Sequence, residues 1–329
     1  MNKVVEIFKR NIKLIIAFII IIFLFNYRLP YNVMMPGGLI DISNRVVVDG
    51  GNTINGSMNL LYVTETKANI PTLLLSYILD SWDLESVEEE KISDESDAEI
   101  IKRNKAMLDN SIQNAIFVAY GAAGRDITIT GKKNIVIGLF DANDSNLQVG
   151  DEILKANGVE IDNVDKLRAI INESNVEDII ELDVIRDEKE IKVSTKVFEN
   201  DGIKQVGMLV ITNYQYELDP AISLKFRSSE SGASGGLMLA LSIYDIIGDE
   251  DIVKGRKIAG TGAITMSGAV EEIGGVKYKL MGAVRNNVDV VLVPESNYEE
   301  CIRLKEKYKY DIEIVSVATF DDALNYLQK

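Results

Sequence analysis

The sequence predicts a multidomain protein of mixed α/β and mostly-β class, with an apolar helix at its N-terminus. Three observations lead to this prediction. Residues 14–25 are uniformly apolar, the middle of the chain is rich in short β-branched segments, and strand and helix patterns alternate from Lys204 onward. Because alternating strands and helices bury a sheet beneath helices, the C-terminal part is predicted to be an α/β domain, in which residues 236–247 form a helix and residues 258–264 a strand.

Composition limits the classes of function. The chain has 329 residues, of which 47% are hydrophobic, and this length corresponds to about two or three packed domains. The formal net charge of −16 argues against nucleic acid as a partner, because phosphate would be repelled, and makes polypeptides better candidates. With no histidine and one cysteine, Cys301, neither an internal disulfide nor a zinc or transition-metal cluster is expected. No cofactor is predicted. A phosphate-binding G-x-x-x-x-G-K-[ST] loop is also missing from the sequence, so ATP-driven unfolding is not expected.

The apolar run at residues 14–25 predicts a membrane anchor. Basic residues precede it and Arg28 follows it, and this charge bias places the N-terminus in the cytoplasm. From Ile12 to Leu29 the segment is near the lower limit of about 17 residues for a spanning helix. A cleaved signal peptide is the alternative, but no small-x-small cleavage site follows, which favours an uncleaved signal anchor. The chain after Pro30 is then expected on the outer side of the cell membrane.

A serine between glycines is the main candidate for chemistry. Residues 232–236 read Gly-Ala-Ser-Gly-Gly at the start of a predicted helix, where Ser234 can expose its hydroxyl and backbone N–H groups can stabilise an oxyanion. Without histidine, the remaining base is a lysine whose pKa is lowered by burial. Lys277 and Lys279 follow a glycine pair, but they are two apart on a predicted helix, so only one can face Ser234. The pentapeptide alone leaves open that Ser234 is only a helix N-cap.

Three motifs in order resemble the proteolytic domain of Lon proteases. They are the pentapeptide around Ser234, Thr-Gly-Ala-Ile-Thr at residues 261–265, and Gly-Gly-Val-Lys-Tyr-Lys at residues 274–279. The resemblance implies that Ser234 is the nucleophile and Lys279 the base, and that Lys277 is a solvated surface charge. It also implies three supporting residues. Thr261 matches the threonine that hydrogen-bonds the lysine in the family and is expected to orient Lys279, and Gly232 and Gly235 are the loop glycines.

The loop departs from the family pattern at three positions. Ala233 stands where the family has proline, Gly235 where it has alanine, and Ser231 where many members have an acidic residue. Because proline and alanine restrict the backbone more than alanine and glycine do, this loop is expected to be less rigid than in the family.

Residues 147–158 resemble the L-x-x-G-D-x-I-x-x-x-N-G core of a PDZ domain. A predicted strand at 135–140, a helix at 164–171 and strands at 179–184 and 191–197 complete a small β-barrel pattern. PDZ domains bind an extended peptide as an added strand. By resemblance the peptide is expected along Ile135, Val136, Ile137, Gly138 and Leu139. A purely structural PDZ domain that packs on the protease domain is the alternative.

The whole chain resembles membrane-anchored PDZ-Lon proteins of Gram-positive bacteria, which implies four segments. They are residues 1–29, a cytoplasmic stub and signal anchor; 30–125, an extracytoplasmic region with strands and a helix; 126–200, the PDZ-like domain; and 201–329, the Lon-type proteolytic domain. Within the second segment, residues 81–99 are acidic and are predicted to be a loop, and a helix is predicted to follow them.

The resemblance implies an ATP-independent serine endopeptidase that acts on unfolded or extended polypeptides through a Ser-Lys dyad. It also implies a homo-oligomer, because Lon domains commonly assemble as rings. Two alternatives come from the same features. One is a membrane-tethered PDZ scaffold whose Lon-like domain is inactive. The other is an anchored Ser-Lys enzyme such as a signal peptidase, which the long distance from the apolar run to Ser234 disfavours.

Overall fold

The computed structural model describes residues 2–48, 51–87, 92, 95–140, 145–226, 230 and 232–329. The helices are α1 (Asn2–Asn26), α2 (Ile70–Ser76), α3 (Asp97–Ala122), α4 (Val164–Glu173), α5 (Gly236–Ile247), α6 (Val276–Arg285), α7 (Glu295–Tyr308) and α8 (Phe320–Gln328). The strands are β1 (Arg28–Asp41), β2 (Val46–Val48), β3 (Ser57–Asn69), β4 (Asp83–Ser86), β5 (Asp126–Leu139), β6 (Glu152–Ala156), β7 (Val159–Glu160), β8 (Ile179–Arg186), β9 (Lys189–Lys196), β10 (Phe198–Asn200), β11 (Ile203–Gln205), β12 (Met208–Asp219), β13 (Ile222–Leu224), β14 (Lys257–Gly260), β15 (Ala263–Ile264), β16 (Val270–Glu271), β17 (Val290–Pro294) and β18 (Glu313–Val317).

One six-stranded sheet joins early and late parts of the chain, in the order β18-β17-β14-β3-β1-β4. β3 pairs with β14 in parallel, so that Leu60 lies opposite Gly260. β17 is parallel to β14 and β18 is parallel to β17, as expected for strands connected by helices. On its other edge β3 is antiparallel to β1. The segments 30–125 and 201–329, which the sequence separates, therefore contribute strands to the same sheet.

Helices cover both faces of this sheet. Alternate residues of a strand point to opposite faces, and in β14 Ile258 enters the core beneath α3 and α5, whereas Ala259 enters the core beneath α6 and α7. Cys301 of α7 is 1% exposed within the second core, which confirms the prediction of a small buried side chain. Burial raises the pKa of its thiol to about 12.

The PDZ-like unit lies between α3 and α5 in the chain. Its sheet has the order β12-β5-β6-β8-β9, and β5 and β12 form a long antiparallel pair through which the chain enters and leaves. Its core is separate from the two described above and includes residues of α4 and of the sheet. Asp151 of the Gly-Asp motif is 1% exposed and accepts two hydrogen bonds from Arg186, at 2.7 and 2.6 Å. This aspartate therefore links the turn before β6 to the end of β8.

Two predicted elements differ from the observed ones. The predicted strand at 258–264 is divided into β14 and β15, because Thr261 and Gly262 belong to neither strand and Gly262 N bonds to Ser234 O. The predicted loop at 81–99 contains β4, which pairs with β1, and the start of α3, where Ser96 and Glu99 form a capping box. Other parts of that predicted loop, residues 88–91 and 93–94, lie outside the described residues.

The N-terminal segment is helical from Asn2 to Asn26. Several apolar side chains of this helix are uncovered, with Leu14 71%, Phe18 63% and Phe23 57% exposed. Across the described ranges, no helix combines the length and apolar character that a membrane span requires. The predicted signal anchor is thus not supported by this finding and stays a prediction.

Candidate active site

Ser234 lies in a turn directly before α5. Gly235 is the N-cap of that helix, and its cap is not made by a side chain. Gly232 has φ +86°, a left-handed conformation that favours glycine. A β-carbon at Gly235 would lie 3.0 Å from Leu60 Cδ2. An alanine at Gly235 would therefore require the Leu60 side chain of β3 to shift by a few tenths of an ångström. Ser231 lies outside the described residues.

The carbonyl oxygen of Ser234 is held by the segment that follows β14. Gly262 N donates to it at 2.8 Å and Thr261 Oγ1 donates to it at 3.1 Å. Thr261 is 2% exposed and its own N–H bonds to Leu292 O of β17. Thr261, which was expected to hydrogen-bond Lys279, thus donates its side-chain hydroxyl to the main-chain oxygen of the candidate nucleophile instead.

Lys279 is buried in α6, with an exposure of 5%. Burial lowers the pKa of its ammonium group from 10.5 to about 8. Within the described part of the chain it makes no ion pair, so no carboxylate offsets the cost of burying its charge. Such a lysine is neutral in a substantial fraction of molecules at mildly alkaline pH and can accept a proton.

Lys277 has a different environment from Lys279. Its Nζ lies 2.6 Å from Asp83 Oδ2, and Tyr278 donates a hydrogen bond to the same oxygen at 2.5 Å. Burial raises the pKa of Asp83, but these two hydrogen bonds outweigh it and hold that pKa below its ordinary value. The predicted surface charge of Lys277 is thus part of an exposed ion pair, because β4 brings Asp83 next to α6.

Ser234 and Lys279 line the same cavity, which has a volume of about 720 Å³. Leu60 of β3 and Leu108 of α3 contribute to its apolar wall. A polar part of the wall is formed by Arg45 and Glu230, which make an ion pair at 2.5 Å with side chains only 15% and 17% exposed. The cavity thus combines a hydroxyl, a buried amine and apolar surface. Among the residues that the structure describes, no group of three or more carboxylate or thiol side chains is placed to hold a metal ion.

Sequence reasoning missed two polar residues on α3. Ser111 is 4% exposed and its Oγ donates to Ala233 O at 2.9 Å. Gln113 is 6% exposed; its Nε2 donates to Thr212 O at 3.0 Å, and its Oε1 accepts from Tyr214 N at 2.7 Å. The sequence did offer a signal for Ser111, because this serine lies on the otherwise apolar helix face that includes Leu108 and Ala115.

The predicted peptide-binding strand is less accessible than expected. β12 pairs with β5 along residues 135–139. On the opposite edge of β5, Ile135 pairs with Glu152 of β6, and Val136 exchanges backbone hydrogen bonds with Asp151 and Gly150. The predicted edge is therefore occupied at Ile135 and Val136, because β6 and the turn before it take the place of an added peptide. Gly138 packs against α3, where a β-carbon would lie 3.5 Å from Arg103 Cδ.

β12, the end strand of the PDZ sheet, has an open outer edge. No strand in the described ranges pairs with the outer edge of β12. Gly207 O accepts a hydrogen bond from β5, whereas Thr212 and Tyr214 bond outward to Gln113. Because alternate residues direct their backbone groups to the same edge, Met208 and Val210 present theirs to the open edge.

Two protein-family models match the chain, one in the C-terminal part and one in the PDZ-like unit. Residues 228–329 match the family model described as the Lon protease (S16) C-terminal proteolytic domain, and residues 138–197 match the PDZ domain model. The chain carries a PDZ domain and a Lon-type proteolytic domain. Ser234, Thr261 and Lys279 all fall within the region matched to the Lon-type domain.

Curated proteins that match the chain include Lon proteases. The chain is 30% identical to Lon protease 2 of Borreliella burgdorferi over 118 residues, which are 35% of this chain and 15% of that protein. It is 31% identical to the Lon protease of Campylobacter concisus over 145 residues (43% and 17%), and 26% identical to that of Campylobacter jejuni over 185 residues (54% and 22%). The chain thus spans less than a quarter of the length of these relatives.

A solved PDZ domain from an SdrC-like protein of Listeria monocytogenes aligns with 25% of this chain and 92% of its own length, at 18% identity and a TM-score of 0.23. The PDZ assignment therefore rests on the family match rather than on this structure.

Replacement of Lys279 by methionine is expected to stabilise the protein. The folded-state pKa of about 8 lies below the ordinary value of 10.5, so the penalty for the charged lysine is full below pH 8 and vanishes above pH 10.5. The free energy of unfolding of K279M should exceed that of the wild type by on the order of 3 kcal/mol at pH 7. Urea titrations at pH 7 and 10 measure this difference.

The matched control is K277M in the same helix, which removes an ion pair and should destabilise slightly at both pH values. An equal stability difference between K279M and the wild type at pH 7 and pH 10 would contradict the burial of a chargeable lysine.

Proposed function

We propose that this protein is an ATP-independent serine endopeptidase that cleaves unfolded or extended polypeptides, with Ser234 as nucleophile and Lys279 as general base. The observation that carries the proposal is that both side chains line one cavity, in which Lys279 is buried and its pKa is lowered to about 8. The match of residues 228–329 to the Lon proteolytic domain supports the same reaction class.

The chemistry follows from these two groups. Neutral Lys279 removes the proton of Ser234 Oγ as the oxygen attacks a peptide carbonyl, and a tetrahedral oxyanion forms. The resulting ammonium group protonates the leaving amine, and the C–N bond breaks to give an acyl-enzyme on Ser234. Lys279 then removes a proton from water as it attacks the ester, and the ammonium group returns that proton to Ser234 Oγ as the C–O bond breaks and the carboxylic acid product leaves.

An extended substrate fits the shape of the cavity. Parallel pairing between β14 and β3 ends at Leu60, whereas β3 continues along the cavity wall as Leu61, Tyr62 and Val63. Within the described residues no strand pairs with that edge of β3 beyond Leu60. A polypeptide in extended conformation can therefore add to β3 beside Ser234 through main-chain hydrogen bonds.

We also propose that the PDZ domain binds an extended peptide on the open edge of β12 rather than along Ile135–Leu139. Met208 and Val210 supply the outward N–H and C=O groups. The added strand ends before Thr212, because Gln113 already bonds the edge there. The PDZ domain would thus recruit polypeptides to the protease or regulate it.

The location proposed for this activity is the outer face of the cell membrane, with α1 as signal anchor and a cytoplasmic N-terminus. Support comes from the apolar residues 14–25 with basic residues before them, and from the exposure of their side chains in the structure. A homo-oligomer, as in Lon rings, is part of the same proposal.

Cleavage should depend on both proposed catalytic residues. Peptide products from an unfolded-protein library, measured by mass spectrometry with the 329-residue chain in detergent, should fall by more than about a thousandfold in S234A and K279M. The wild-type value of kcat/KM should rise with pH and level off above an apparent pKa of about 8, because the base must be neutral.

K277M is the control, and it should keep its activity. Cleavage that persists in S234A would contradict the assignment of Ser234 as the nucleophile. A wild type that binds peptides but cleaves none would favour the tethered scaffold.

The β12 edge can be tested with Val210→Pro. Proline removes the outward N–H of an edge strand without breaking the ladder to β5, so peptide affinity should fall more than tenfold relative to V210A. The melting temperatures of V210P and V210A should be similar, because both lose the packing of Val210 against the PDZ core. Fluorescence anisotropy with labelled peptides selected from the library measures affinity. V210A, which keeps the N–H, is the matched control. Equal affinities of V210P and V210A would exclude strand addition at this edge.

The anchor can be tested with an alkaline phosphatase reporter fused after Lys329 and expressed in bacteria. Phosphatase activity is expected, because the reporter folds only outside the cytoplasm, and the fusion should stay in the membrane fraction after alkaline carbonate washing. Phe18→Lys should release it, and Phe18→Leu should not. Wild-type protein recovered in the soluble fraction would contradict the anchor.

A further inference from the structure

The carbonyl groups of the two peptide units on either side of the Ser234 α-carbon both accept hydrogen bonds from other parts of the protein. Ala233 O accepts from Ser111 Oγ at 2.9 Å and from Gly236 N at 3.2 Å. Ser234 O accepts from Gly262 N and Thr261 Oγ1. These contacts come from two sides of the loop, since Ser111 belongs to α3 and Thr261 follows β14.

In a trans peptide unit the N–H points opposite to the C=O. The only cis bond in the described ranges precedes Pro220, so the units that contain Ala233 O and Ser234 O are trans. Their N–H groups belong to Ser234 and Gly235 and point away from Ser111 and Thr261. Neither N–H has an acceptor among the described residues, and both Ser234 and Gly235 line the cavity.

Ser111 is built into this arrangement. It is 4% exposed, and a β-carbon at Gly236 would lie 2.6 Å from its Oγ. The glycine at the first residue of α5 thus allows α3 to approach closely enough for the hydrogen bond. A second contact from α3, Gly232 N to Asn104 O at 3.1 Å, holds the loop two turns earlier on the same helix. The helix therefore fixes the loop at two points.

We propose that Ser111 is a positioning residue that orients the Ala233–Ser234 peptide so that the Ser234 N–H, together with that of Gly235, can receive the oxyanion. This role rests on the proposed peptidase function. Ser111 itself touches neither substrate nor reacting atoms. Oriented donors of this kind act mainly on the transition state, because the negative charge develops only there.

The test compares S111A and S111C with the wild type, using the 329-residue chain in detergent. Cysteine keeps the shape of serine but is a weak donor. We expect kcat to fall about tenfold or more in S111A and less in S111C, with KM changed by less than about twofold. Affinity for a peptide boronic acid, whose tetrahedral adduct with Ser234 places an oxygen in the oxyanion site, should fall in parallel with kcat.

Two further measurements separate positioning from stability. Ser242→Ala in α5 removes a fully buried hydroxyl that has no partner among the described residues, and it should leave kcat unchanged. A peptide of the same sequence that carries an amide in place of the boronic acid should bind S234A and S234A/S111A with equal affinity. All rates are expressed per mole of folded protein, measured by circular dichroism, so a loss of folded protein does not lower kcat.

The outcomes are distinguishable. If the wild type cleaves peptides and S111A and S111C have the same kcat and boronate affinity as the wild type, the role of Ser111 is overturned. The peptidase function is then unaffected. An equal loss of amide and boronate binding would also overturn it, because it would show a general collapse of the site. A wild type that neither cleaves peptides nor binds the boronate would overturn the peptidase function, and the role of Ser111 with it.

Discussion

The parallel pairing of β3 with β14 is the interaction on which the catalytic sheet and its cavity depend. It joins two segments about two hundred residues apart, and the buried Asn59 supports it by donating to Ile258 O at 3.0 Å. The pairing puts Leu60 against Gly235 and places Thr261, the next residue after β14, within reach of Ser234 O. The entropy lost in closing so long a loop is offset by apolar burial on both faces of the sheet.

The burial of Lys279 links the stability of the site to its chemistry. The lysine lies among apolar residues of the core formed by β14, α6 and α7, and within the described chain no carboxylate compensates its charge. The same desolvation that makes the ammonium group costly to fold is what lowers its pKa and makes the amine a base. Two residues earlier on α6, Lys277 keeps a partner in Asp83 and remains a structural ion pair.

Helix α3 makes hydrogen bonds to both the PDZ domain and the proteolytic domain. Through Gln113 it bonds the outer edge of β12, and through Ser111 it bonds the loop that carries Ser234. The open part of the β12 edge, at Met208 and Val210, therefore ends where Gln113 of α3 bonds Thr212 and Tyr214. The PDZ domain is attached to the rest of the chain by the β5–β12 pair and by this helix, rather than by a loose linker.

Local patterns were enough to predict α5 to the residue, because its apolar content and flanking glycines are features of a continuous stretch. They were not enough for β4, which is short and acidic and is stabilised by pairing with β1. The predicted peptide strand at Ile135–Leu139 is a strand, but its periodicity did not reveal that β6 already occupies part of its edge.

By itself, the sequence determined that a serine between glycines and two candidate lysines were present in a chain without histidine. The motif resemblance favoured Lys279 over Lys277. Only the tertiary structure decided that Lys279 is the buried lysine beside the Ser234 cavity, that Leu60 lies against Gly235, and that Ser111 reaches a carbonyl 122 positions away. The physical reason is that these contacts join distant strands and helices, and nothing in the local periodicity of either partner records them.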